Sequence, residues 1–288
     1  MSAVMLNAPV NPNQALFNWQ LLWRIGGLRS AGQGLPGGPF QATPLYVLID
    51  PDEKRVLSYH IGSVLCCLVA EKVSVVVGTP SALMHCSRWP GVLGGNLKPD
   101  YISAINNTPQ VWEAKCRRNG LQEEVLRKGL GQARSIISVG GVLPTSCIVV
   151  QAYGENNNWN VVTADPTGPP KELGAEYKDE VCLNYYAPWV KLIDSLEKIR
   201  NADFIAGILI PDDTYVGLDS EIYDTIKTWN PKQEEPGALR QKINGILQKK
   251  FEKIKNQGEE ATYVNTNGLY CALTARVLKQ LGKTAEDI

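Results

Sequence analysis

Two carboxylates and one lysine near the middle of the chain have the residue types and spacing that metal-assisted chemistry requires. Asp100 lies in the segment Lys98–Ile102, and Glu113 and Lys115 lie in the segment Val111–Lys115. Both segments are predicted to be strands. Successive side chains of a strand alternate between its two faces, so Glu113 and Lys115 must project together while their neighbours project to the other side.

The turn between these strands decides whether Asp100 joins that polar group. Asn106-Asn107 are residue types that tolerate positive φ and suit a two-residue hairpin turn. Counting outward from this turn places Asp100 directly opposite Glu113, with Cβ atoms about 5 Å apart. Two carboxylates that close repel each other unless a positive group, such as a divalent cation, lies between them.

Oxygen ligands of this kind favour Mg²⁺ or Mn²⁺ as the cofactor. Such an ion polarises a phosphoryl oxygen and lowers the pKa of bound water, and the Lys115 ammonium adds positive charge where negative charge develops. The chemistry predicted for this group is hydrolysis of a phosphodiester bond. The structural alternative is an exposed hairpin with an ordinary cross-strand ion pair, worth less than about 1 kcal/mol.

Pro99-Asp100 and Glu113-Ala114-Lys115 resemble the two half-motifs of the PD-(D/E)XK nuclease superfamily, over roughly residues 55 to 165. The resemblance implies a restriction-endonuclease-like α/β fold, with a mixed central sheet, an α-β-β-β-α-β core and flanking helices. It also implies that Asp100, Glu113 and the Ala114 carbonyl bind the metal, with Glu71 as an additional acid; solvation of a helix end explains Glu71 equally well.

The helix that follows the motif carries Gln132, which resembles a polar residue that assists the site in this superfamily. The fuller Gln-x-x-x-Tyr pattern of RecB-like members is not met, because Ile136 stands where Tyr would be. Two other acid-x-lysine strings, Asp52-Glu53-Lys54 and Glu176-Tyr177-Lys178, lie among turn-forming residues without a hydrophobic run. Context therefore favours the string at Glu113.

Positive charge collects around the motif although the chain has a formal net charge of zero. The segment from Leu97 to Ser135 contains seven Lys or Arg residues and four Asp or Glu residues, which is a surplus of three positive charges. The residues expected to contact nucleic acid here are Arg117, Arg118, Lys128 and Arg134. A second basic element, the predicted helix Arg240–Lys255, adds Lys249 and Lys253 as candidates, although a solvated surface helix is the commoner reading.

The chain is expected to form one elaborated domain: an N-terminal extension over residues 1–50, the nuclease-like core over 55–165 and a C-terminal α/β elaboration over 166–288. The other predicted helices are Gln14–Ile25, Ser58–Lys72, Leu121–Val139, Tyr185–Arg200 and Leu269–Leu281. The predicted strands outside the motif are Tyr46–Ile49, Val73–Val77, Cys147–Tyr153, Trp159–Ala164, Phe204–Ile210 and Tyr215–Leu218, with a turn at Pro51-Asp52.

Composition predicts a protein of a reducing compartment, cytoplasmic or, in a eukaryote, nuclear. Met1–Gln20 has no Lys or Arg, so the charged region of a secretory signal is missing, and no membrane partner is expected. Seven cysteines without a CxxC pair do not indicate a disulfide framework, and two histidines give poor material for a zinc site or a histidine triad.

Nucleic acid, DNA or RNA, is the expected partner, and a homodimer would suit cleavage of two strands. One alternative is a catalytically inactive nuclease-fold protein that acts as a nucleic-acid-binding or protein-interaction module. Another is a defence or host-interaction protein whose substrate is contacted mainly by a protein partner.

Overall fold

The computed structural model describes residues 27–28, 31–33, 40–77, 82–89, 98–103, 109–165, 173–175, 178–200, 204–210, 214–257 and 269–273. The helices in these stretches are α1 (Pro44–Leu48), α2 (Pro51–Val77), α3 (Glu123–Ala133), α4 (Asp179–Asp194), α5 (Ser220–Thr228) and α6 (Ala238–Gln257). The strands are β1 (Gly32–Gln33), β2 (Gln41–Ala42), β3 (Leu83–His85), β4 (Tyr101–Ser103), β5 (Gln110–Arg117), β6 (Ile136–Val139), β7 (Ser146–Glu155), β8 (Asn158–Ala164), β9 (Leu173–Ala175), β10 (Lys198–Arg200), β11 (Phe204–Ile210), β12 (Thr214–Asp219) and β13 (Leu269–Leu273).

A mixed seven-stranded sheet forms the centre of the described structure, with strand order β1-β2-β8-β7-β5-β4-β3. Strands β5 and β7 run parallel, and the other neighbouring pairs are antiparallel. The crossover between β5 and β7 contains α3, as a parallel pair requires. Helices α2 and α3 both contact β5 and β7. The expectation of an α/β protein with a mixed sheet flanked by helices is therefore confirmed.

Two smaller sheets lie outside the central one. Strands β10, β11, β12 and β13 form an antiparallel sheet in that order, and β6 pairs in parallel with β9. The main hydrophobic core includes Cys66 of α2, Trp112 of β5, Tyr186 of α4 and Leu247 of α6. The C-terminal helices therefore bury their apolar side chains in the same core as the central sheet.

Helix α2 begins earlier than the sequence predicts, because Pro51-Asp52 starts it instead of forming a turn. The Asp50 carboxylate accepts a hydrogen bond from the Asp52 N–H at 2.8 Å, which satisfies one of the free donors at a helix start. Proline suits the first helical position, and the acids Asp52 and Glu53 complement the helix dipole. The prediction of a turn here was wrong because it overlooked this cap.

Helix α2 also ends later than predicted. Val73–Val77 was expected to be a buried strand, whereas these residues continue the helix. The helix preference of a β-branched residue is only a few tenths of a kcal/mol poorer than that of its neighbours, so an established helix extends through such a run. The first of the three strands before the crossover is instead β3.

By length and composition alone, Pro51–Val73 could cross a membrane, with a mean hydropathy of 1.4 and 44% of its most apolar window buried inside the protein. The core helix of a soluble protein passes the same test, so this is weak evidence. Helix α2 packs closely on the sheet: a Cβ atom at Gly62 would lie 2.9 Å from Cys116 Cβ on β5. The absence of a membrane partner stays a prediction.

Helix α1 replaces the strand predicted over Tyr46–Ile49. Thr43 caps it, since its hydroxyl oxygen accepts a hydrogen bond from the Tyr46 N–H at 3.2 Å, and Pro44 occupies the first turn. The apolar residues of Tyr46–Ile49 suggest a strand when taken alone, but the Thr43 cap favours a helix. The helix predicted over Gln14–Ile25 lies outside the described residues.

Helix α3 is shorter than the predicted Leu121–Val139. It ends at Ala133, and the β-branched stretch after it forms β6, in which Ile136 and Val139 are buried. Gly140 and Gly141 follow with positive φ and terminate the strand. The high β propensity of Ile136 and Ile137 therefore outweighs the helical periodicity, and the helix does not continue through them.

The C-terminal elements show three outcomes. Strands β7, β8, β11 and β12 and helix α6 confirm the predictions made for them, apart from a residue or two at their ends. The helix predicted over Tyr185–Arg200 is displaced: α4 begins at Asp179, and Lys198–Arg200 is a strand. The predicted Leu269–Leu281 helix is wrong at its start, because Leu269–Leu273 pairs with β12; its remainder lies outside the described residues.

Candidate active site

The register of β4 against β5 brings the two predicted carboxylates together. Tyr101 pairs with Trp112 and Ile102 with Val111 in antiparallel fashion, and one further step places Asp100 beside Glu113. This confirms the predicted register. The turn itself, at Asn106-Asn107, lies outside the described residues.

The alternation of side chains along β5 also holds. A Cβ atom at Gly129 of α3 would lie 3.5 Å from the Cγ atoms of both Glu113 and Lys115, so these side chains share the face that α3 covers. On the opposite face, Cys116 packs against Gly62 of α2. The polar group is therefore one-sided, as predicted.

Three hydrogen bonds connect the members of this group. The Asp100 N–H donates to Glu113 Oε2 at 2.9 Å, and the Ala114 N–H donates to Asp100 Oδ2 at 2.9 Å. The Lys115 ammonium donates to Glu113 Oε1. Because both carboxylates are engaged by backbone N–H groups of the opposite strand, their positions are set by the pairing of β4 with β5.

Glu113 is fully buried, with 0% of its side chain exposed, whereas 20% of the Lys115 side chain is exposed. An ordinary surface ion pair is therefore excluded as a description of this contact. Burial and the neighbouring charge of Asp100 raise the pKa of Glu113 to about 8, against the opposing effect of Lys115. One ammonium does not compensate two close carboxylates in this setting, so the site favours additional positive charge.

A pocket of about 490 Å³ opens at the place where β5 extends beyond β4. Helix α2 bounds it on one side and α3 on the other. Asp100, Ala114 and Lys115 all line it. The N–H and C=O of a strand residue point to the same side of the strand, so the Ala114 carbonyl is directed toward the side on which its N–H meets Asp100.

The lining of this pocket is strongly cationic. Asp100 is its one acidic side chain among the described residues, and it faces five cationic ones, namely Arg55, Lys115, Arg117, Arg118 and Lys128. Two of these cations also have an acid on the same helix turn: Lys128 Nζ lies 2.8 Å from Glu124 Oε1, and Arg55 lies 3.4 Å from Asp52 Oδ1. Local positive charge therefore surrounds the site in a chain of zero net charge.

Gln132 reaches the same pocket from α3. It lines the pocket, and its Nε2 donates to the Lys98 carbonyl at 3.4 Å, just ahead of Asp100. The structure thus places Gln132 on the same pocket as Asp100.

Three other predicted residues are not brought to the pocket. Glu71 lies nine residues after Gly62 along α2 and does not line the pocket; burial raises its pKa to about 7. Arg134 caps the far end of α3 near Cys147. Lys249 lines a separate groove between α5 and α6. The side chain of Lys253 lies outside the described residues.

Three residues of α2 line the pocket although the sequence reasoning did not select them: Arg55, Ser58 and Tyr59. Together with Gly62 they have the spacing i, i+3, i+4, i+7 that defines one helix face. The sequence contains this helical spacing, but it can be recognised only if the helix begins before Arg55. Predicting a turn at Pro51-Asp52 therefore led the sequence analysis to miss it.

All the donors offered to a cation here are oxygens: the two carboxylates and the Ala114 carbonyl. Within the described ranges there is no group of three or more His, Cys, Asp or Glu side chains that could hold a metal ion. Two carboxylates suffice for Mg²⁺, which keeps several of its waters and binds through one or two carboxylates. The donor set therefore fits Mg²⁺ or Mn²⁺ and does not fit zinc.

Comparison of the chain with protein-family models, with curated proteins and with solved structures finds no match.

Proposed function

We propose that this protein is a metal-dependent nuclease that hydrolyses phosphodiester bonds in nucleic acid. The observation that carries the proposal is the convergence of Asp100, Glu113 and Lys115 beside an open, cationic pocket that Asp100 and Lys115 line. The element order α2-β3-β4-β5-α3-β7, with β6 inserted before β7, agrees with the α-β-β-β-α-β core of the restriction-endonuclease-like fold. That agreement supports the fold assignment, which is part of the proposal.

Asp100, Glu113 and the Ala114 carbonyl would hold Mg²⁺ or Mn²⁺. When bound, the ion supplies a Lewis acid for a phosphoryl oxygen and lowers the pKa of a bound water. Burial raises the pKa of Glu113 and so disfavours a carboxylate without a compensating charge at this position. A bound cation would supply that compensating charge.

The other residues act on the substrate. Lys115 contributes a fixed ammonium beside the reacting phosphate, where it stabilises the negative charge that develops in the transition state. Arg55, Arg117, Arg118 and Lys128 line the approach, where phosphate groups of a polynucleotide would neutralise them. Gln132, anchored on the Lys98 carbonyl, orients substrate or water from the opposite helix.

The experiment is cleavage of labelled single- and double-stranded DNA and RNA, with Mn²⁺ or with EDTA. Asp100→Asn keeps an oxygen that accepts the Ala114 N–H and removes a repulsive charge, so the protein should fold normally. Its cleavage rate should fall by at least about 100-fold, because an interaction worth several kcal/mol in the transition state is lost. Lys115→Met should lose a similar factor, whereas Lys191→Met, an exposed position on α4, should not.

Full activity of both site variants, or cleavage that persists in EDTA, would contradict the proposal. Thermal unfolding of each variant separates loss of activity from loss of structure.

One observation favours the second candidate, a catalytically inactive nucleic-acid-binding or protein-interaction module. Both oxygens of Glu113 already accept hydrogen bonds, from Lys115 and from the Asp100 N–H. In such a protein the Glu113–Lys115 pair is structural. Titration with Mn²⁺ distinguishes the two: no binding and no cleavage, together with retained binding of nucleic acid, would support the module.

A further inference from the structure

One wall of the candidate active-site pocket carries an exposed aromatic ring. Tyr59 of α2 lines the pocket and is 49% exposed. Among the aromatic side chains whose exposure the structure describes, it is the most exposed, and the others are buried or half-buried. Tyr59 belongs to neither hydrophobic core cluster. Core packing therefore does not account for the ring, and the proposed reaction, as described above, makes no use of it.

The backbone of α2 fixes how far this ring lies from the reacting groups. A Cβ atom at Gly62 would lie 3.3 Å from the Lys115 carbonyl oxygen, so the helix touches β5 at this point. Tyr59 precedes Gly62 by three residues, which is about 4.5 Å along the helix axis and on the same face. Helical side chains lean toward the N-terminus of their helix, so the ring extends along the wall away from Lys115. It therefore lies where the base of a nucleotide next to the reacting phosphate would pass.

Positive charge accompanies the ring along this wall. Arg55, one helical turn before Tyr59 on the same face, has a side chain that is 82% exposed and lies 3.4 Å from Asp52 Oδ1. A surface ion pair of this kind is weak, so a phosphate group can replace the Asp52 carboxylate. Lys115 lines the pocket beyond Tyr59. An aromatic ring between cations is the arrangement by which proteins bind single strands, since the cations follow the phosphates and the ring stacks on a base.

The Tyr59 ring is held in position before any ligand arrives. It meets the ring of His60 edge to face, with centroids 5.5 Å apart and an angle of 66° between the planes. His60 is 6% exposed, so this contact connects the exposed ring to the protein interior. A side chain that is already ordered loses less conformational freedom when a ligand binds. The ring therefore has both the exposure and the order that a stacking surface requires.

We propose that Tyr59 stacks on an unpaired nucleobase of the substrate, next to the phosphate held in the candidate active site. This rests on the proposed nuclease function and deepens it, because it names the class of nucleic acid that the site takes. Arg55 binds the phosphate on the outer side of this nucleotide, and Lys115 lies on its inner side. The ring reads no base edge, so the site accepts any of the bases.

The form of the substrate follows from the stacking. A base inside a duplex is already covered on both faces by its neighbours, so it cannot reach Tyr59 without leaving the helix. The pocket volume of about 490 Å³ lies within the roughly 300–1,000 Å³ of sites for one small ligand, which suits a single nucleotide between α2 and α3. The substrate class is therefore single-stranded nucleic acid, or a duplex with an unpaired end.

The test compares two single strands of equal length and equal phosphate charge, one with bases and one fully abasic. Binding to the full chain is measured by fluorescence anisotropy in EDTA, so that no metal-dependent cleavage occurs. The wild-type protein should bind the base-bearing strand about tenfold more tightly, as expected for one base stacked on an aromatic side chain. Tyr59→Leu keeps an apolar side chain without the ring, and its preference should fall below about threefold. Tyr59→Phe keeps the ring and should keep the tenfold preference.

Three more variants separate stacking from charge and from folding. Arg55→Gln should weaken binding of both strands by the same factor and keep the preference, because both strands carry the phosphates that Arg55 contacts. Leu68→Ala, at an exposed apolar position of α2 that does not line the pocket, should change neither affinity. Thermal unfolding verifies that each variant folds. Tyr59→Gln, which also lacks the ring, repeats the test with a polar side chain if Tyr59→Leu does not fold.

The outcomes separate the stacking site from the nuclease function. Equal binding of both strands by the wild-type protein, or a full preference in the variants without the ring, would overturn the stacking site. Loss of the preference in Tyr59→Phe would also overturn it, since the ring is still present. The nuclease proposal would stand in each of these cases if Mn²⁺-dependent cleavage is observed. Failure of both strands to bind would overturn the stacking site and also count against the nuclease function.

Discussion

Two glycines of α3, two residues apart, offer a sharp test of how closely this helix packs on the site. A Cβ atom at Gly129 would lie 2.8 Å from Val149 Cγ1 and 3.5 Å from the Cγ atoms of Glu113 and Lys115, whereas a Cβ atom at Gly131 would meet nothing within 4 Å. Replacement by alanine improves helix propensity by about 1 kcal/mol at either position. Only at Gly129 does the added methyl group also have to displace its neighbours.

The magnitudes follow from these two contributions. Gly131→Ala should raise the free energy of unfolding by about 0.5–1 kcal/mol. At Gly129 an overpacking cost of about 1–3 kcal/mol opposes the same gain, so Gly129→Ala should be neutral or destabilising by up to about 2 kcal/mol. Urea denaturation followed by circular dichroism measures both. The difference between the two variants isolates the packing cost, because the propensity change is common to them.

Activity gives a second measure of the same contact. The methyl group at Gly129 must move α3 away from β5 or displace the Glu113 and Lys115 side chains, and a misplacement of about 1 Å in a catalytic group costs about 100-fold in rate. We therefore expect Gly129→Ala to lose at least about tenfold in cleavage and Gly131→Ala to retain wild-type cleavage. If Gly129→Ala is as stable as Gly131→Ala and fully active, the reasoning that this glycine sets the helix–strand distance is refuted.

Two further predictions concern charged side chains. Because the pKa of Glu113 is raised to about 8 in the folded protein, from an unfolded value near 4.3, the folded state binds the extra proton and stability should decrease as the pH rises between these values. Urea denaturation midpoints at pH 5 and pH 8 measure this decrease. Glu113→Gln should make the difference between the two midpoints smaller. If the difference is unchanged in that variant, Glu113 is not the group responsible. Asp219 caps α5 by accepting the N–H groups of Glu221 and Ile222 at 2.9 and 3.0 Å, and it also pairs with Lys250. Asp219→Ala should therefore lower the free energy of unfolding by at least about 1–2 kcal/mol. Asp219→Asn retains a capping oxygen and should lose less stability. Equal stability of the two variants would exclude a capping role.

The core of the candidate site follows from local rules of the sequence. Alternation along a strand assigns Glu113 and Lys115 to one face, and the turn predicted at Asn106-Asn107 implies a register that the observed pairing of Tyr101 with Trp112 confirms. These features depend on residues that are close in sequence, so pattern reasoning reaches them. The same holds for Gln132, whose helix directly follows the strand.

The parts that the sequence did not predict depend on competition between similar local preferences. Val73–Val77 has β-branched residues but continues a helix, while Ile136, in an equally β-branched stretch, leaves one. Residue propensities differ by only tenths of a kcal/mol, so contacts distant in sequence decide such cases. Pro51 illustrates a second reason for wrong predictions, because proline is common both in turns and at the first position of a helix. Here the Asp50 carboxylate accepts a hydrogen bond from the Asp52 N–H and so favours the helix.

The distribution of charge in the pocket shows why the whole-chain balance is a poor guide to partners. Its cations come from separate elements: Arg55 from the start of α2, Lys115 and Arg117 from the part of β5 beyond β4, Arg118 just after it, and Lys128 from α3. No single segment of the sequence carries all of them, so a basic run is absent while a basic concavity forms. Since low-dielectric walls focus the field of a concave surface, this local concentration, and not a net charge of zero, determines the attraction for a polyanion.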